Sequence, residues 1–138
     1  MKGVHTLLLA SLLAASVAGA AGCGSTTTPT ATTTVEQFSS RIQEKGSAWR
    51  SVDVPTAGDV TLQLVSVTQA DAVMNLGIGT ISGTQCVIAA SVDTAANSAT
   101  VAPQLTRTVA VGTYCVRIGD IGNLTQIVDF VIRIEKPL

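Results

Sequence analysis

Beyond residue 22 the chain has no histidine; the single one in the sequence is His5. That removes Ser-His-Asp and Cys-His nucleophilic machinery, and any His-ligated metal, from the folded part. Aromatic residues are scarce, with one Trp, one Tyr and two Phe, so a core must be built from aliphatic side chains. Charge is scarce and balanced, with eight Lys and Arg against nine Asp and Glu. No basic patch is available to neutralise phosphates, which argues against nucleic acid as a partner. The two lysines beyond residue 22, Lys45 and Lys136, fall in predicted polar edges and are expected to be solvated. Nucleophile-Lys schemes therefore lack a good candidate. There is no C-x-x-C spacing for redox or zinc chemistry, and no twelve-residue calcium loop.

What is present starts with an apolar run from Leu7 to Cys23, preceded by Lys2. A charged start, an apolar middle and small residues at the end have the layout of a secretory signal peptide. The run closes on Ala20-Ala21-Gly22-Cys23, which resembles the lipobox of bacterial lipoproteins. The resemblance implies removal of residues 1–22 and lipidation, palmitate included, at Cys23. It places the protein in the bacterial cell envelope, exported and held to the membrane by an N-terminal lipid anchor. Gly24, where Asp would mark inner-membrane retention, points to the outer membrane in a Gram-negative cell. The little charge that remains gives weak attraction to anionic lipid, so attachment falls to the acyl chains.

Residues 23–34 are read as the lipidated Cys followed by a Thr-rich tether. Gly24 to Thr34 contains no large apolar residue to offset its ordering entropy. Its simplest use is a spacer, and a glycosylated Thr/Pro stalk is the alternative.

Residues 35–138 read as β throughout, with Val, Ile and Thr alternating with polar residues between Gly, Pro, Asn and Asp. Eight strands are predicted near 35–42, 47–54, 59–67, 72–79, 84–90, 98–105, 112–119 and 126–135. Val60, Leu62 and Leu64 share one face of the third, with Thr61 and Gln63 on the other. The last places Val128, Phe130, Ile132 and Ile134 inward, with Asp129, Arg133 and Glu135 outward. Pro55 to Gly58 reads as a turn, and the one short helical turn falls near Gln69 to Ala72. The fold class is an all-β antiparallel β-sandwich, Ig-like or jelly-roll-like.

With Cys23 lipidated, Cys86 and Cys115 are the two cysteines left. In an exported chain they are expected to form one intradomain disulfide between the fifth and seventh strands. Such a bond closes a loop of 29 positions.

Three segments resemble the bacterial pre-peptidase C-terminal domain. They are the stretch from Val52 to Leu62, the strand Gly112-Thr113-Tyr114-Cys115-Val116-Arg117-Ile118, and the closing Phe130-Val131-Ile132-Arg133-Ile134. Val52 stands where that family has an aromatic residue, and the cysteines are additional. The resemblance implies a non-catalytic β-sandwich. That family's usual role as an appendage of secreted enzymes does not carry over, because no enzyme is attached here.

Few residues suggest chemistry. Asp53 and Asp59 flank the Pro55–Gly58 turn and would approach each other if it closed a hairpin, but they read as turn-flanking aspartates rather than a glycosidase pair. Asp120 and Asn123, in Gly119-Asp120-Ile121-Gly122-Asn123, form a weak calcium candidate whose simpler use is to build a turn. Gly77-Ile78-Gly79-Thr80-Ile81-Ser82 fails the dinucleotide fingerprint for want of a third glycine and a following helix. No cofactor is expected.

The candidate binding residues are Trp49 and Arg50. If Val52 and Val54 face the core, alternation turns Trp49 outward, beside Arg41, Lys45 and Arg50. There it would stack on a sugar or anchor a protein. The function expected is a non-catalytic, lipid-tethered interaction or structural module meeting an envelope protein or glycan. The alternative is a small ligand-carrying lipoprotein or envelope hydrolase.

Overall fold

A computed structural model describes residues 32–138. The expected signal segment (1–22), Cys23 and residues 24–31 of the expected tether lie outside the described residues. Eight antiparallel strands follow one another: β1 (Thr33–Ile42), β2 (Ser47–Val54), β3 (Gly58–Val67), β4 (Val73–Ser82), β5 (Gln85–Ala95), β6 (Leu105–Val109), β7 (Gly112–Asp120) and β8 (Val128–Pro137). They form two four-stranded sheets, ordered β1-β8-β3-β6 and β2-β7-β4-β5. Strand one pairs with eight, two with seven, three with six and four with five. This is a long hairpin rolled onto itself, so of the two expected sandwiches the jelly roll is the one formed.

The core follows from the period-2 pattern. Val60, Leu62 and Leu64 of β3 meet Val128, Phe130, Ile132 and Ile134 of β8 in one sheet, and all are buried. Val52 and Val54 of β2, Leu76 and Ile78 of β4, and Val116 and Ile118 of β7 face them from the other. Phe38 meets Phe130 edge-on at 5.1 Å, supplying what aromatic packing this core has. Tyr114 ties the start of β7 to the preceding turn by donating its hydroxyl proton to the Ala110 carbonyl at 3.0 Å.

Four local expectations are corrected. The sixth strand lies at 105–109 rather than 98–105. Pro103 has no N–H for a ladder, and side-chain amides have taken the hydrogen bonds instead. Gln104 accepts from the Leu64 N–H at 2.9 Å and donates to the Leu64 carbonyl at 3.2 Å. The loop so held covers Gln63, buried at 1% exposure, whose amide donates to Asn97 Oδ1 and to the Ser98 and Val101 carbonyls.

Pro55–Gly58 does not close a hairpin. It carries the chain from β2 in one sheet to β3 in the other. Asp53 and Asp59 therefore bond to threonines in different sheets, Thr113 and Thr108.

Lys136 is not solvated. It is 7% exposed, with its Nζ donating to the Asp53 carbonyl at 2.6 Å and paired with Glu36. The segment from Gln69 to Ala72 is a tight turn closed by Ala72 N–H to Gln69 O, with Asp71 in the left-handed region at φ 63°, and no helix forms there.

The outer face of the second sheet positions the candidate site. Gly77 and Gly79 of β4 point outward, opposite Leu76 and Ile78, and present bare backbone. Between Ile78 and Gly79 the pairing with β5 shifts by one residue, a β-bulge that bends the β4–β5 hairpin. The bent arm folds back over the glycines. A Cβ on Gly79 would lie 1.9 Å from the Val87 carbonyl oxygen, and one on Gly77 only 3.1 Å from the Ile88 side chain. Cys86, carried by the arm, is bonded to Cys115 of β7.

Candidate binding cleft on the outer face

Trp49 stands where alternation along β2 predicts. Val52 and Val54 are in the core, and Trp49 is on the outer face at 36% exposure. Its register partner is Arg117 of β7, on the same face. The tip of the folded-back arm rises beside them. Together they line a cleft of about 350 Å³ bordered by Ser47, Trp49, Thr84, Gln85, Cys86 and Arg117. That volume is at the lower end of the ligand-pocket range of about 300–1,000 Å³.

The cleft combines one indole with hydroxyl, amide and guanidinium groups. The Arg117 guanidinium has no hydrogen-bond or ion-pair partner among the described residues, as is also true of the exposed Arg107 on β6, while the arginines at 41, 50 and 133 are all paired with carboxylates. Gly119 and Ser47 leave Arg117 room; its Nη2 lies 3.7 Å from where a Cβ on Gly119 would stand.

Arg50, predicted to share the site with Trp49, is elsewhere. The alternation that turns Trp49 outward turns Arg50 toward the inner face. There its Nη2 donates to Glu36 at 2.9 Å, its Nη1 to the Gln37 carbonyl at 2.9 Å, and its guanidinium carbon lies 5.9 Å from the Phe38 ring centre. Glu36 also meets Lys136, so one carboxylate bridges two cations where the edge strands β1 and β2 run side by side. Arg50 therefore fastens the two sheets, and Arg117 is the cation beside Trp49. The sequence held a signal for this: residues 49 and 117 differ in parity from the core positions of their own strands. Arg41 does not line the cleft; it is bridged to Asp129 across β1 and β8 at 2.8 Å.

Asp120 and Asn123 organise a loop. Asp120 Oδ1 accepts from the N–H groups of Gly122, Asn123 and Leu124 at 2.8–3.2 Å, and Oδ2 accepts from Lys45 N–H at 2.7 Å. Burial acts to raise the Asp120 carboxyl, but the four N–H donors together outweigh it and hold it below its ordinary value. Asn123 pairs through its side chain with both backbone groups of Val73. The oxygens that a calcium ion would need are thus occupied by backbone N–H groups. Among the described residues no group of three or more His, Cys, Asp and Glu gathers as metal ligands.

No family model matches the chain, and no curated protein sequence does. Among solved structures it is similar to the crystal structure of the Yersinia pseudotuberculosis-derived mitogen, with a TM-score of 0.52 and 13% identity over 75% of this chain and 86% of that one. At that identity the likeness is one of fold: both chains are β-sandwiches.

Proposed function

We propose that this chain is a lipid-tethered binding module of the bacterial cell envelope. The Ala20-Ala21-Gly22-Cys23 motif would supply the anchor through Cys23, and the Thr-rich segment would hold the sandwich off the membrane. The outer-face cleft would take the partner. The observation that carries the reading is Trp49, the chain's only tryptophan, standing on an outward sheet face beside Arg117, which has no partner among the described residues. A large aromatic and an arginine together are the residue types most enriched at binding hot spots. The jelly-roll interior is filled by side chains such as Leu62, Leu64, Leu76 and Ile132, which favours a surface-binding role over a carrier role. The resemblance to the pre-peptidase C-terminal domain is in keeping with a non-catalytic module.

In-cell photocrosslinking tests this. A photoreactive residue at Gln85 leaves Trp49 in place, and one at Ser39 on the other sheet serves as control. The expected result is a discrete adduct from position 85 that is absent from position 39 and lost with Trp49→Ala. The same scattered adducts from both positions would sink the reading. Metabolic labelling with a palmitate analogue, lost in Cys23→Ala, tests the anchor separately.

A further inference from the structure

Resting on that reading of the cleft, we infer that its partner is an acidic glycan, bound with a pyranose face on Trp49 and a sugar carboxylate on Arg117. The lining decides the class. A protein hot spot seats an apolar side chain in a desolvated apolar pocket. Here the indole is surrounded by the hydroxyls of Ser47 and Thr84, the amide of Gln85 and a guanidinium. A sugar ring presents that combination in reverse, with a patch of C–H groups on one face and hydroxyls around its rim.

The charge decides the acidic member of the class. Arg117 is half-buried and has no carboxylate partner among the described residues. The three carboxylates on the strands of this sheet are engaged, Asp53 with the Thr113 hydroxyl at 2.7 Å, Asp93 with the Asn75 amide at 2.7 Å and Asp120 with backbone N–H groups. A guanidinium presents a planar fork of donors that matches a carboxylate bidentately, and such charge-assisted pairs are about twice as strong as neutral ones. A ligand carboxylate would complete the ion pair that the described residues leave open.

The disulfide enters the binding geometry. Gln85 and Thr84 reach the cleft only because the arm is folded across the sheet, and Cys86–Cys115 joins the arm to β7 at that point. An open arm would leave Trp49 and Arg117 as a flat surface without its polar wall.

The test uses the full chain in detergent on an array of uronate-, sialate- and muramate-bearing oligosaccharides, each beside its neutral or methyl-esterified counterpart. Hits are titrated by the emission of Trp49, which is the chain's only tryptophan and so reports the cleft directly. Saturable binding is expected to at least one acidic oligosaccharide. It should weaken about 10–100-fold on esterification or with Arg117→Gln, and Trp49→Ala, which has no tryptophan emission, should lose retention on the array itself. Equal binding of acidic and neutral forms would overturn the acidic assignment and keep a glycan site. No binding to any acidic oligosaccharide, together with a protein adduct from position 85, would overturn the inference and keep the binding module. With no such adduct either, both would fall.

Discussion

Cys86 and Cys115 are joined although a strand separates their own two strands. The sheet order places β4 between β5 and β7, yet the two Cα atoms are 5.8 Å apart. Neighbouring strands lie about 4.8 Å apart, so two strands apart in a flat sheet would be nearly twice that and beyond disulfide reach. The bond exists because the β4–β5 arm leaves the sheet plane at Gly79 and crosses over it. The same crossing raises a wall beside Trp49, so a backbone detail in β4 and a surface cleft have one cause.

Gly79→Ala therefore strikes the arm first. The new Cβ would meet the Val87 carbonyl at 1.9 Å, and backbone atoms cannot give way as a side-chain tip can. We expect a loss of about 1–3 kcal/mol from the forced shift, measured by urea unfolding. Free thiols should rise in unreduced protein. Gly77→Ala, which meets the Ile88 side chain at 3.1 Å and the Ala90 carbonyl oxygen at 3.2 Å, should cost less.

Removing the disulfide with Cys86→Ser and Cys115→Ser tests its weight in the fold. For a loop of 29 positions the chain-entropy model gives about 3.6 kcal/mol. The core around β3, β4, β7 and β8 does not depend on the bond, so the variant should still fold. Its urea midpoint should fall without loss of the β-sheet circular dichroism signal. An unchanged midpoint would mean that the arm is held by its ladder alone.

Acid exposes the Asp120 loop. The carboxyl is held below its ordinary value of about 3.8, so its contribution is complete above that pH and is lost as pH falls through the lower folded value. Asp120→Asn cannot titrate there. The stability gap between wild type and variant should be widest near neutrality and narrow below about pH 3.8, as read from urea midpoints across that range.

Glu36 and Lys136 should respond asymmetrically to mutation. Glu36→Gln leaves the buried Lys136 ammonium with the Asp53 carbonyl but no counter-charge, and frees Arg50 as well. A loss of roughly 1–3 kcal/mol is expected. Lys136→Met fills the same space with an apolar side chain and keeps Glu36 on Arg50, so it should fall within about 1 kcal/mol of wild type. Thermal melts of the two variants check this.

Much of the fold was legible because period-2 alternation carries it. Val60, Leu62, Leu64 and the β8 series took the faces that their spacing predicts, and six of the eight strands moved by no more than a few residues at either end. The position of β6 was hidden because the Gln104 side-chain amide and the Asn97 backbone N–H take the hydrogen bonds of Leu64 in place of a strand, which propensity does not register. Pairing between sheets was hidden too: a turn at Pro55–Gly58 looks the same whether it joins one sheet or two. Trp49 was readable from alternation, and the same rule applied to its neighbour would have sent Arg50 inward. Arg117 was readable only as an outward position on its own strand, since its place opposite Trp49 comes from the β2–β7 register; Gln85 was not readable, since its meeting with Trp49 depends on the arm folding over Gly79.

Acrylamide quenching of Trp49 emission tests that arrangement most directly. With one tryptophan in the chain, the signal comes from the cleft alone. The folded-back arm predicts modest quenching in the oxidised protein and a clear rise when Cys86 and Cys115 are both changed to Ser, with the fold otherwise retained. Equal quenching in the two proteins would contradict it, because Trp49 would then owe none of its shelter to the arm.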